Sequence, residues 1–96
     1  MRAARVDANQ AVITKALRAI GASVQPLHTV GDGCPDLLVG YRGTNWLLEV
    51  KDGSKPPSAR QLTPEQAQWH GYWRGPVHIV TSVDEAILLI ASREPA

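Results

Sequence analysis

The sequence predicts one small α/β domain, a mixed sheet of short strands covered by helices in the order helix, three strands, helix, strand, helix. Three observations predict it. Apolar residues at helical spacing open the chain, two strand-like runs follow with only a turn between them, and capped helical segments then alternate with one short apolar run. The 96 residues hold no internal repeat and no second core, so residues 1–96 form a single domain.

Each element has a local reason. Val6, Gln10, Ile13, Leu17 and Ile20 follow helical spacing, with Gly21 as the stop, which predicts a first helix over 8–20. Asp7 suits its N-cap, with Gln10 at N3. Residues 23–29 alternate weakly around Pro26, as an edge or bulged strand does. Gly31-Asp32-Gly33-Cys34-Pro35 turns the chain into a strand over 36–41, and the apolar run from Trp46 to Lys51 makes the next. Arg42-Gly43-Thr44-Asn45 joins them, with Gly43 at the first central position of a type II′ turn. Residues 52–61 are polar and broken by prolines, hence a loop. Thr63 is then an N-cap, with Pro64 at N1 and Gln66 at N3. Leu62, Gln66, Trp69 and Trp73 form the inner stripe of that helix, which ends near Gly75-Pro76, and its aromatic residues Trp69, Tyr72 and Trp73 read as packing residues. A strand over 77–81 and a last helix, capped by Ser82 with Glu85 completing a capping box and running to Ala91, finish the fold.

Composition narrows the function. Ten Lys and Arg against nine Asp and Glu leave a net charge of +1, so nucleic acid is not bound by bulk electrostatics and any contact must be local. No apolar run is long enough to cross a bilayer and none is of signal-peptide type, which predicts a cytoplasmic protein without a membrane partner. Cys34 is the only cysteine, so an internal disulfide and a multi-thiolate zinc site are excluded.

The chemistry concentrates at two strand ends. Successive strand side chains alternate, so Leu47, Glu49 and Lys51 share one face and Trp46, Leu48 and Val50 the other. With Gly43-Thr44 as the two-residue loop, Tyr41 opposes Trp46, Leu38 opposes Glu49 and Asp36 opposes Lys51, which places Asp36, Glu49 and Lys51 on one face. Opposed side chains lie about 5 Å apart and diagonal ones about 7 to 8 Å, the spacing at which two carboxylates share a divalent cation and its waters. A lone Lys does not balance two clustered acids, whereas a divalent cation does.

Pro35-Asp36, Glu49-Val50-Lys51 after one hairpin, and Leu62-Thr63-Pro64-Glu65-Gln66-Ala67-Gln68-Trp69 together resemble the PD-(D/E)XK nuclease superfamily, and within it the small stand-alone VRR-NUC-like endonucleases of phages and bacteria. The resemblance implies a restriction-endonuclease-like αβββαβ core and Mg²⁺-dependent cleavage of DNA phosphodiester bonds, with Mn²⁺ able to substitute. It implies that Asp36 and Glu49 hold the metal, that the Val50 carbonyl adds a ligand, and that Lys51 stands beside the attacking water. Gln66 has two readings: a capping-box residue that reaches back to Thr63, or the polar Gln that supports the active site in the family. Relatives often carry a Glu on the first helix; here Asp7, Asn9 and Gln10 stand there, so Asn9 and Gln10 are candidates for supporting a bound water, and one ion rather than two is expected.

Lys55, Ser58 and Arg60, in the loop that follows Lys51, are candidates for phosphate contact. His28, His70 and His78 are dispersed and read as structural or surface residues. The expected activity is that of a metal-dependent endodeoxyribonuclease acting on structured or branched DNA as a homodimer, because one site per chain requires two chains to cut two strands. The rival expectations are a non-catalytic nucleic-acid-binding or assembly module with the same fold, and a Mg²⁺ enzyme acting on nucleotides or RNA.

Overall fold

The computed structural model describes residues 8–92, so Val6 and the Asp7 cap lie outside the described residues. The elements are α1 (Ala8–Ala19), β1 (Ser23–Pro26), β2 (Leu37–Tyr41), β3 (Thr44–Val50), α2 (Pro64–Tyr72), β4 (His78–Val80) and α3 (Val83–Ala91), with a 3₁₀ turn over Pro57–Arg60. The predicted order of elements is the one observed. The sheet runs β1-β2-β3-β4, antiparallel except for the β3–β4 pair, which is parallel because α2 carries the chain back across the sheet.

The two faces of β3 diverge in what they bury. Trp46, Leu48 and Val50 join Ile13, Leu17, Leu37, Val39, Val80, Ala86 and Ile90 in one apolar core beneath α1 and α3. Each buried Leu or Ile there is worth about 1.5 to 3 kcal/mol of transfer free energy. Glu49, on the opposite face, is also buried, with 1% of its surface exposed, beneath α2.

The hairpin corrects the predicted register. Arg42 and Gly43 both have positive φ, +50° and +79°, as both central residues of a type I′ turn do, so the loop is Arg42-Gly43 and not Gly43-Thr44. Tyr41 therefore pairs with Thr44, Leu38 with Leu47 and Leu37 with Leu48. Each residue shifts by two against its predicted partner, and a shift of two preserves the face. Asp36 ends beside Glu49 instead of across from Lys51.

Other boundaries moved for local reasons. β1 is the edge strand and ends at Pro26, which an edge tolerates because its missing N–H faces away from β2; Leu27 still donates to the Asp36 carbonyl at 2.8 Å. α2 ends at Tyr72, and its C-cap Trp73 is extended, so Trp73 and Tyr72 are 44% and 60% exposed while Trp69 alone of the three aromatics is buried. Trp73 nevertheless stacks on Trp69, centroids 4.5 Å apart. Ser82 caps α3 as predicted, but the Glu85 carboxylate accepts from the N–H of Thr81, one residue earlier than a capping box requires.

The loop before Asp36 is pressed against α2. Gly33 has φ +81°, and a Cβ there would stand 2.3 Å from the Glu65 carbonyl oxygen. Gly31, with φ +79°, has open space around the same position. Gly33→Ala is expected to destabilise the fold by about 2 kcal/mol or more and Gly31→Ala by about 1 kcal/mol, as read from urea unfolding midpoints; equal effects would mean that the contact with α2 is not tight.

Candidate active site

Asp36 sits where β2 gives out. Its N–H donates to the Leu48 carbonyl at 3.0 Å, and its Oδ2 accepts the next available N–H of β3, that of Val50, at 2.7 Å. Leu48 thus faces both Asp36 and Leu37, two residues against one, as in a bulge, which re-aims a side chain. The carboxylate replaces a main-chain acceptor and is held by it. In an extended strand the N–H and C=O of one residue point to the same side, so the Val50 carbonyl also turns toward Asp36.

Gln66 joins the site to the start of α2. Its Oε1 accepts from the Thr63 N–H at 2.9 Å and from Lys51 Nζ at 2.7 Å, while its Nε2 donates to Glu49 Oε2 at 3.2 Å. Its own N–H donates to Thr63 Oγ1, which completes a capping box. The capping-box reading is the one observed, and the same side chain also touches Lys51 and Glu49.

From α1, Asn9 donates its amide to the carbonyls of Lys51 at 2.7 Å and Thr81 at 3.2 Å. Its role is to tie α1 to the ends of β3 and β4. Gln10 is buried and lines a cleft of about 370 Å³ with Pro26 and His28. Lys55 and Ser58 are exposed and Arg60 is half-buried in the loop and 3₁₀ turn beyond Lys51. That loop starts from a fixed point, because Gly53 donates to Thr81 and Ser54 donates twice to Asp52.

His70 was not expected here. Its Nε2 lies 3.4 Å from Glu49 Oε1. The sequence signal is its position four residues after Gln66, which puts both side chains on one helical face.

Among solved structures, the chain is similar to one described as a VRR_NUC domain, with 31% identity, a TM-score of 0.62, and 88% of this chain and 92% of that chain covered. The chain belongs to the VRR-NUC family. No family model and no curated protein matches it. The VRR-NUC assignment agrees with the family read from Pro35-Asp36 and Glu49-Val50-Lys51, and makes this a nuclease-like domain. Among the described residues no helix is long and apolar enough to cross a membrane.

The electrostatics of this VRR-NUC site are those of surplus negative charge. Burial pushes the Glu49 carboxyl up to about 8, the hydrogen bond and charge of Asp36 add to the rise, and Lys51 opposes it. Cys34 nearby is raised by burial and by the same two acids. His70 is held below its usual range by burial and by Lys51. Among the described residues no group of three or more His, Cys, Asp and Glu converges as metal ligands. The donors present are hard oxygens, two carboxylates with a main-chain carbonyl turned the same way, and they suit a hard divalent cation that draws the rest of its shell from water or substrate.

Folding lifts the Glu49 pKa from 4.5 to about 8, so between those limits the folded chain holds a proton that the unfolded chain has released. The stabilising contribution is complete below 4.5 and is lost as pH rises through 8. In EDTA the melting temperature of the wild type is expected to fall from pH 5 to pH 9 by several degrees more than that of Glu49→Gln; parallel profiles would contradict this.

Proposed function

We propose that this VRR-NUC domain is a divalent-metal-dependent endonuclease that hydrolyses DNA phosphodiester bonds, on structured or branched DNA, with Mg²⁺ as cofactor and Mn²⁺ as a substitute. The observation that carries the reading is the buried Glu49 carboxylate beside Asp36, with Lys51 anchored next to it by Gln66. A buried acid whose charge is disfavoured, a second acid beside it and a cation held at their edge are poor structural economy without a metal and a phosphate.

Asp36 and Glu49 would hold Mg²⁺, with the Val50 carbonyl as a third protein ligand. When bound, the ion supplies Lewis acidity toward the scissile phosphate and the attacking water. Lys51 donates from its ammonium to that water or to the charge that grows on the phosphoryl oxygens. Gln66 aims Lys51 by accepting one of its protons and aims Glu49 by donating to it. Asn9 positions the Lys51 main chain, and Gln10 supports α1 behind it. Lys55, Ser58 and Arg60 meet the phosphates that flank the cut, which sets position on the duplex without reading bases. Two copies related by a twofold axis bring two such sites to the two strands.

The test is cleavage of supercoiled plasmid, a four-way junction, duplex, single strands and RNA in Mg²⁺, Mn²⁺ or EDTA. Wild type is expected to cut DNA, junctions best, only with metal, and Asp36→Asn, Glu49→Ala and Lys51→Ala are each expected to lose on the order of 100-fold or more. Equal rates in all four proteins would defeat the assigned roles, and junction binding without cleavage would mark a non-catalytic binding module. Light scattering of the eluted protein reads the dimer directly.

A further inference from the structure

Helix α2 reaches Glu49 twice. Gln66 Nε2 donates to Oε2, and His70 Nε2 stands against Oε1 at 3.4 Å. The two residues are about one helical turn apart, so their side chains leave the helix from one face. A carboxylate oxygen has two lone-pair directions. With the ring proton on Nε2, each oxygen has a donor, which fixes the plane of the group and leaves one direction on each for another partner.

We propose that His70 is a positioning residue: together with Gln66 it locks the Glu49 carboxylate in the orientation that presents its remaining lone pairs to a hard divalent cation shared with Asp36. This rests on the metal-site reading of Asp36 and Glu49. The geometry supports it in three ways. The His70 side chain is 13% exposed, so little water competes at Nε2. Its ring meets Trp69 edge-on, centroids 6.1 Å apart at 73°, and Trp69 is buried, so the ring has a fixed wall beside it. Asp36 already has its own tether, the Val50 N–H, so Glu49 is the ligand whose orientation depends on α2. With Asp36 and Glu49 as the carboxylates of this reading, a rotated Glu49 removes half of them.

Partners that orient a ligating carboxylate commonly contribute about 10- to 100-fold to metal affinity. The experiment measures Mn²⁺ affinity by electron paramagnetic resonance for wild type, His70→Ala, His70→Gln and His70→Leu, with circular dichroism and melting in EDTA as the measure of folding. His70→Ala is expected to bind Mn²⁺ about 10-fold more weakly. His70→Gln, which restores an amide donor, is expected to recover most of that loss, while His70→Leu, which restores bulk alone, does not. Wild-type affinity in His70→Ala overturns the proposal, and so does equal weakness of the folded Gln and Leu variants. If the Ala variant fails to fold, the comparison of Gln with Leu decides. Absence of Mn²⁺ binding by the wild type would overturn the metal site itself, a result distinct from unaltered binding on loss of His70.

Discussion

A carboxylate buried beside a second carboxylate is the constraint around which this domain is arranged. Glu49 is as inaccessible as the apolar residues of the core, yet it lies on the other face of the sheet among polar neighbours. Removing a carboxylate from water costs several kcal/mol unless hydrogen bonds and opposite charge offset it. Here Gln66 supplies a donor, His70 Nε2 stands at the other oxygen and Lys51 supplies the charge, while Asp36 works against them. The balance leaves a group that holds its proton near neutral pH in the metal-free protein. On the proposed reading, a divalent cation in place of that proton would turn an electrostatic burden into a binding site.

The surrounding elements serve that spot by converging on it from several directions. Asn9 joins α1 to Lys51 and Thr81, the residues just beyond β3 and β4, and the Lys51 N–H continues the parallel ladder to Val80. Asp36 closes the β2 side by accepting the Val50 N–H with its side chain. Gly33 permits the loop before it to touch the Glu65 backbone, so the loop that delivers Asp36 and the helix that delivers Gln66 and His70 are in direct contact. The apolar core beneath the opposite face provides the rigid floor.

Much of this was legible in the sequence because strand parity is robust. Glu49 and Lys51 share a face whatever the hairpin does, whereas Asp36, one residue before β2, is aimed by the two-against-one pairing at Leu48. The register itself was not legible. It depends on Arg42 accepting a left-handed conformation, which an arginine seldom does and which no periodicity announces. Helix caps were read correctly at Thr63 and Ser82 because their chemistry is local. The partner of Glu85, the exposure of Trp73 and Tyr72, and the amide of Asn9 on two distant carbonyls depend on tertiary placement. His70 was passed over because an isolated histidine carries no signal. Only the face it shares with Gln66 does.

Gln66 binds the beginning of a helix and the heart of the site into one set of hydrogen bonds. Helix α2 has nine residues and buries Trp69 alone among them, so apolar burial does little to hold its first turn. Short helices of this kind open by subglobal fluctuation well before the whole chain does. Fraying at Thr63 and Gln66 would release the Lys51 ammonium and unseat Glu49 in the same event. The arrangement of Gln66, Lys51 and Glu49 is thus tied to the closure of one helical turn.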